Sequence, residues 1–273
     1  MKDELVVDNS LSLCLPEIGS DNTFEIATWN IENFPMKTST PALALGTIIE
    51  SEYDIWALQE IARPAYLENI SSIDNRFEFI VDQTYALGVN EDYHLSYIYN
   101  STQLELQRAE VLNSEDFESY YFPRKPFLAK FRKGNNYFYI INIHLKCCGG
   151  EENRFRRQQA GIILDNYIKS KLQDYPTIIV GDFNTVIDPY EDSDMQVFLD
   201  QNANYQFSDI EIAKNPDANW SYPSWPSQID HVLLKKPLFE DMNQTMTITL
   251  DDCSSSYYNV VSDHRPVLTI LNF

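Results

Sequence analysis

Residues 137–184 read YFYIINIHLKCCGGEENRFRRQQAGIILDNYIKSKLQDYPTIIVGDFN. The stretch opens on Tyr137–His144, a run rich in Tyr, Phe and Ile that predicts a strand. Asn153 to Leu172 follows as the longest helical pattern of the chain, with Ile162, Ile163, Tyr167 and Ile168 as its apolar stripe. Thr177–Val180 then reads as a buried strand. Chemistry-bearing residues stand where each strand stops. His144 ends the first, and Asp182 and Asn184 end the second, with Gly181 allowing close backbone approach.

The same pattern extends in both directions. Phe24–Trp29 is an apolar-biased strand followed by Asn30 and Glu32. Thr40-Pro41 supplies an N-cap and an early helical proline, opening a helix to about Glu52. Asp54–Leu58 reads as a strand followed by Gln59-Glu60. Pro64 to Ile73 reads as helix, and Phe77–Val81, His94–Tyr99, Leu104–Leu112 and Phe127–Arg132 as strands. Late strands are expected at Ile229–Leu234, Met246–Leu250 and Val267–Leu271. Many antiparallel-looking strands with few helices favour an α/β sandwich over a purely parallel sheet.

Of 273 residues, 44% are hydrophobic and 13% aromatic, which excludes a disordered chain. Residues 1–22 are polar and read as an arm or leader remnant, and residues 23–273 as one domain without a linker or repeat. No stretch approaches the roughly 20 apolar residues of a membrane span. The charged start Met1-Lys2-Asp3-Glu4-Leu5 is not a signal peptide. A signal removed beforehand and export, or a cytoplasmic chain, both remain open. Cys14, Cys147, Cys148 and Cys253 lack metal-type spacing, and their pairing stays open. The net charge is -21, with 20 Lys+Arg against 41 Asp+Glu, which on its face argues against gripping a polyanion. The segment from Arg124 to Arg157 runs the other way, with nine basic and two acidic residues. It predicts a cationic rim beside His144.

Carboxylates, amides and imidazoles at strand ends suit a hydrolytic site. Hard oxygen donors favour Mg²⁺, with Mn²⁺ or Ca²⁺ also compatible, and imidazole supplies acid–base or charge stabilisation. Six motifs stand in a fixed order: Trp29-Asn30-Ile31-Glu32-Asn33, Leu58-Gln59-Glu60, Asn142-Ile143-His144-Leu145, Gly181-Asp182-Phe183-Asn184, Ile229-Asp230-His231-Val232 and Ser262-Asp263-His264-Arg265-Pro266. Together they resemble the endonuclease/exonuclease/phosphatase superfamily. That group includes deoxyribonuclease I, apurinic endonucleases, neutral sphingomyelinases and inositol polyphosphate 5-phosphatases. The resemblance implies a four-layer fold, two mixed β-sheets packed face to face with helices on the outer faces. It also implies metal-dependent hydrolysis of a phosphate ester.

Carried over by position, Glu60 resembles the principal metal ligand, with Asn30 and Glu32 beside it and Asp263 in the outer shell of the metal. Asp182 resembles the residue that positions or deprotonates the attacking water, and Asn184 the one that orients the phosphate. Asp230 resembles the carboxylate that orients and charges His264, and His144 the second histidine of the deoxyribonuclease branch. Arg124, Asn142 and Lys146 are the expected substrate-binding residues. Glu91 and Tyr93 precede a strand where relatives often carry site residues, and Trp220, Tyr222 and Trp225 form an aromatic loop before Asp230.

No Trp-Cys-Asp-Arg-type segment of the inositol phosphatases is present; Trp225-Pro226-Ser227-Gln228 stands in its place. The long apolar hairpin of sphingomyelinases is also missing. The leading expectation is a nuclease cleaving DNA or RNA by in-line attack of water, as a monomer, holding nucleic acid weakly and in a salt-sensitive way. A phosphodiesterase or phosphatase on a lipid or small molecule is the alternative, and an inactive binding module the third.

Overall fold

The computed structural model describes residues 5–18, 22–82, 93–188, 192–215 and 219–272. Its strands are β1 (Thr23–Phe34), β2 (Ile55–Ile61), β3 (Phe77–Val81), β4 (His94–Asn100), β5 (Glu105–Val111), β6 (Phe127–Lys133), β7 (Asn136–His144), β8 (Thr177–Asp182), β9 (Tyr205–Phe207), β10 (Asp230–Lys235), β11 (Met242–Thr247) and β12 (Val267–Asn272). They form two six-stranded sheets, ordered β11-β12-β1-β2-β4-β3 and β5-β6-β7-β8-β10-β9. Each sheet is antiparallel except for one parallel pair, β1 with β2 and β7 with β8. Parallel neighbours need a crossover, and the two long helices, Thr40–Ser51 and Glu151–Lys171, supply it.

Side chains alternate across a strand, and this alternation builds the four layers. Phe24 and Ile26 of β1 point inward and meet Phe131, Phe138, Ile140 and Val180 of the other sheet. Ala27 and Trp29 point outward, against Ala44, Leu45 and Ile48 of the first helix. Likewise Ile141, Ile143 and Ile179 meet Ala160, Leu164 and Ile168 of the second helix. The stripe expected on that helix is shifted. Its buried face runs through Arg157, Ala160, Gly161, Leu164, Asp165 and Ile168, whereas Ile162 is 39% exposed. Two polar residues on the buried face displaced the reading: Asp165 accepts from Lys169, Gln201 and Tyr205, and Arg157 donates to Asp194.

The N-terminal segment that reads as a polar arm is packed onto the domain. Leu11 is fully buried in the outer core of the first sheet, and Cys14 is disulfide-bonded to Cys253. Asp8 N–H donates to Ala42 O, and Asn9 Nδ2 to Glu50 Oε1. The contact depends on Gly46, where an added Cβ would meet Asp8 O at 2.5 Å.

Candidate active site

Topology gathers the polar strand ends. In each parallel pair both C-termini point one way, and β10 and β12, antiparallel to their neighbours, start at that same edge. In register, Asn30 lies beside Gln59, His144 beside Asp182, and Asp182 beside Asp230. The ladders break there: register shifts fall between Asn30 and Phe34 on β1 and between Leu58 and Ile61 on β2. Such irregularities re-aim side chains, here Glu32 and Glu60. Strain collects at the same edge. Among the described residues, the non-glycine positive φ values are at Asn33, Glu52, Glu60, Cys148 and Asn184. Glu52 caps a helix; the other four sit at the strand ends that carry the site. Gly181, at φ 141°, lets β8 lie against β7, since a Cβ there would meet Ile143 O at 2.0 Å.

Asn30 joins the two sheets. Its Nδ2 donates to Glu60 Oε1 (3.2 Å) and to Asp182 Oδ2 (3.0 Å). Glu60 Oε2 accepts from the Asn33 amide, and Glu32 Oε2 accepts from the Asp263 amide. Burial and then the charge of Asp263 raise the pKa of Glu32; burial also raises that of Asp263, with Glu60 adding to it. The buried Asn30 Oδ1 has no hydrogen-bond partner among the described residues. An unpaired amide oxygen beside mutually repelling carboxylates fits a hard divalent cation, which Asn30, Glu32 and Glu60 would hold, with Asp263 behind them.

Asp182 is 2% exposed, and its Oδ1 accepts from the Asn184 amide at 2.8 Å. Burial, reinforced by the charge of Asp230, pushes its pKa up to about 7. His264 Nδ1 donates to Asp230 Oδ2 at 2.7 Å. Burial opposes its charge, but the paired Asp230, with Asp182 and Asp263, raises its pKa to about 10. Asp182, Asp230 and His264 bring potential ligand atoms within 4.8 Å of one another. Within this trio only His264 and Asp230 are hydrogen-bonded to each other, while Asp182 is held by the Asn30 side chain and the Asn184 backbone N–H; an imidazole protonated on both nitrogens offers no lone pair to a metal. His144 Nε2 lies 3.4 Å from Asp182 Oδ2 and 3.9 Å from Glu60 Oε1. Burial, with the positive charges of Arg124 and His264, nevertheless holds it well below its ordinary pKa and neutral.

A model of the Endonuclease/Exonuclease/phosphatase family matches residues 27–264. The chain belongs to this family. Its fold is shared with D. rerio TDP2 complexed with single-strand DNA product, at 14% identity and TM-score 0.68, covering 92% of this chain and 99% of that one. It is also similar to a family protein from Bacteroides thetaiotaomicron (16% identity, TM-score 0.66, 91% and 97% covered). The human Nocturnin catalytic domain with bound sulfate is similar too (16% identity, TM-score 0.65, 91% and 93% covered). No curated protein matches the sequence.

Within this family member, some expected residues sit elsewhere. Asn142, expected to bind substrate, is fully buried and stitches the sheets together. Its Nδ2 donates to Leu58 O (3.0 Å) and Ser96 O (3.1 Å), and its Oδ1 accepts from Gln59 Nε2 (2.8 Å). The cationic rim is also corrected, because most of its charges are already paired. Arg154 and Arg157 bind Asp194, Arg132 binds Glu105, Lys133 binds Asp54, and Lys130 lies among the rings of Tyr137, Tyr139 and Tyr175. Arg124 stays near the site, its guanidinium over the Tyr93 ring at 5.2 Å. Lys146 Nζ lies 3.5 Å from Cys147 Sγ. Glu91 lies outside the described residues.

Residues that stood in or beside the motifs without an assigned role complete the site. Ser262 Oγ donates to Asn30 O and accepts from the His264 amide, fixing the last motif against the first. The Tyr222 ring packs on His264 with centroids 4.8 Å apart. Trp220 Nε1 is anchored on Ile212 O, whereas Trp225 is 77% exposed. His231 is fully buried, its Nδ1 on Asp209 Oδ2 (2.6 Å) and its Nε2 on Thr185 O (2.9 Å), which props the loop bearing Asn184. Beside this loop is a cavity of about 470 Å³ lined by Cys148, Arg157, Asn184, Tyr222 and Trp225. No helix among the described residues is long and apolar enough to cross a membrane.

Proposed function

We propose that the chain is a divalent-metal-dependent phosphodiester hydrolase acting on nucleic acid, DNA or RNA, by in-line attack of water. The observation that carries this is the pairing of opposite protonation tendencies in one buried cluster. Asp182 has a pKa raised to about 7, and His264 is held protonated by Asp230 with a pKa of about 10. A base poised near neutrality and a fixed cation facing it suit attack of water on an anionic ester.

The cation, when bound at Asn30, Glu32 and Glu60, supplies positive charge that offsets phosphate repulsion and stabilises the leaving oxyanion. Asp182 accepts the proton of water and holds it in line, while the Asn184 amide and the Asn30 amide fix the carboxylate plane. His264 keeps Nδ1 on Asp230 and presents Nε2–H to a nonbridging oxygen, a charge-assisted bond. Neutral His144 stands between Glu60 and Asp182 as a donor to the phosphate. Arg124 and Lys146 contribute the remaining positive charge, and the Asn184 side chain, with Nδ2 on Leu145 O, orients the ester.

Because most of the other basic residues between Arg124 and Arg157 are paired, affinity for a polyanion is weak and sensitive to salt. The test is incubation of supercoiled plasmid DNA, an RNA oligonucleotide and a chromogenic phosphodiester with Mg²⁺, with and without chelator. Chelator-sensitive cleavage of either nucleic acid is the expected result. Turnover of the chromogenic ester alone moves the substrate to a lipid or small molecule, and no turnover of any ester refutes the reading.

A further inference from the structure

Cys147 and Cys148 follow His144 and Lys146 at the rim of the site and have no part in the chemistry above. Adjacent side chains normally diverge, yet Cys148 Sγ lies 2.8 Å from Cys147 Sγ and donates its S–H to it. The turn that brings them together is imposed from outside. Cys148 is held at φ 77°, and the buried Arg157 Nη1 binds the carbonyls of both Lys146 and Cys148 at 2.8 Å. Arg157 is itself fixed on Asp194 Oδ2 at 2.7 Å. Gly149 and Gly150 follow, and a Cβ at either would meet nothing within 4 Å, so the turn has room to rotate. Cys148 is exposed, and Cys147 half-buried. Cys14 and Cys253 are joined in the same chain.

We propose that Cys147 and Cys148 form a reversible vicinal disulfide, closed by small-molecule disulfides, that sets how strongly Lys146 engages the phosphate substrate. The bond is a switch and not a staple for a geometric reason. Neighbouring Cα atoms are about 3.8 Å apart across a trans peptide, below the roughly 4.4–6.8 Å that an unstrained disulfide spans. Strained disulfides have the higher, more easily reversed potentials.

Closure proceeds in two exchanges. The Cys147 thiolate, favoured by the Cys148 hydrogen bond and by Lys146 against the opposing effect of burial, attacks one sulfur of RS–SR and releases RS⁻. Cys148 then attacks Cys147 Sγ of the mixed disulfide and displaces the second RS⁻. The two thiol protons end on two RSH, and two electrons pass from the cysteine pair to the external disulfide. In the open state the Cys147 sulfur holds Lys146 Nζ at 3.5 Å. In the closed state that sulfur is bonded to Cys148 and is a poorer acceptor, and Lys146 is free to reach the phosphate. Losing one competing hydrogen bond of Lys146 at a partly exposed site corresponds to a KM lower by about two- to fivefold.

The full chain is equilibrated with glutathione at graded ratios of disulfide to thiol, alkylated, digested and mapped by mass. The Cys14–Cys253 bond is the internal reference. The expected peptide carries Cys147 and Cys148 unalkylated and lighter by two hydrogens at oxidising ratios, and both alkylated after dithiothreitol. A persistent glutathione adduct, a cross-link between chains, or two alkylated thiols at every ratio overturns the bond. The effect on KM rests on the phosphodiesterase reading, whereas the mass readout does not, so the two fail separately. KM of the wild type falls on oxidation and recovers on reduction, and Cys147→Ser keeps the lower KM at every ratio. An unchanged KM with the bond fully closed overturns control of the site.

Discussion

Replacement of Asn142 by Ala separates a structural amide from a substrate contact. The side chain serves a break in the ladder: β2 and β4 lose register after the Leu58–Ser96 pair, and Asn142 Nδ2 donates to the carbonyls of both residues. Its Oδ1 also receives Gln59 Nε2, which has alternative acceptors in Thr28 Oγ1 and Ala57 O at 3.1 Å. The loss therefore falls on two buried carbonyls, at about 1–3 kcal/mol each. With the small cavity added, the variant is destabilised by about 3–5 kcal/mol. For a domain of this size that corresponds to a Tm lower by roughly 6–15 °C. Thermal unfolding followed by circular dichroism gives the Tm, and steady-state kinetics well below the transition give KM for the folded variant. The expected result is the large drop in Tm with KM unchanged. A Tm within about 2 °C of wild type, together with a raised KM, refutes the reasoning and returns Asn142 to the substrate.

Three further outcomes follow from the charges. Asp230→Asn removes the partner that keeps His264 protonated to about pH 10. Activity of the variant then declines as pH rises through the ordinary histidine range near about 6.5, where wild type does not, as a pH–rate profile shows. Glu25, 5% exposed beside Asp54, has its pKa raised by burial, and then by that charge, to about 7. The folded state thus binds a proton that the unfolded chain has already released. Stability is lost as pH rises from about 4.5 through 7, and Glu25→Gln recovers about 1–2 kcal/mol at pH 8 and little at pH 4.5, measured by urea unfolding. With Arg124 and Lys146 as the main cations left to nucleic acid, the logarithm of affinity falls against the logarithm of salt with a slope near about −2. A slope several times steeper in binding titrations contradicts that assignment.

Motif order carried most of the candidate site because its residues end their strands, and strands of Ile, Tyr and Phe are legible by composition. Asn30, Glu60, His144, Asp182, Asp230, Asp263 and His264 meet in the structure at one edge. What escaped reading depends on partners far away in sequence. Asn142 lies inside a recognised motif, yet its three side-chain hydrogen bonds go to Leu58, Gln59 and Ser96. The positive segment from Arg124 to Arg157 looks like a rim until Asp54, Glu105 and Asp194 are seen against it. The N-terminal segment looks like an arm because what fixes it lies far away in sequence: Leu11, Leu5, Val7, Leu15 and Ile18 pack on the outer core of the first sheet, and the Cys14–Cys253 disulfide spans 239 residues. Tyr222 and His231 are visible beside Asp230, but the packing of the one on His264 and the bonds of the other to Asp209 and Thr185 depend on partners distant in sequence.

The most direct measurement is Mg²⁺-dependent turnover of a phosphodiester by the wild type, Asp182→Asn and His264→Ala, each shown folded by circular dichroism. Chelator-sensitive hydrolysis by the wild type, lowered by roughly 10²–10⁴-fold in both variants, is the predicted result. Near-normal turnover in either folded variant, or no hydrolysis by the wild type with any divalent cation, contradicts it.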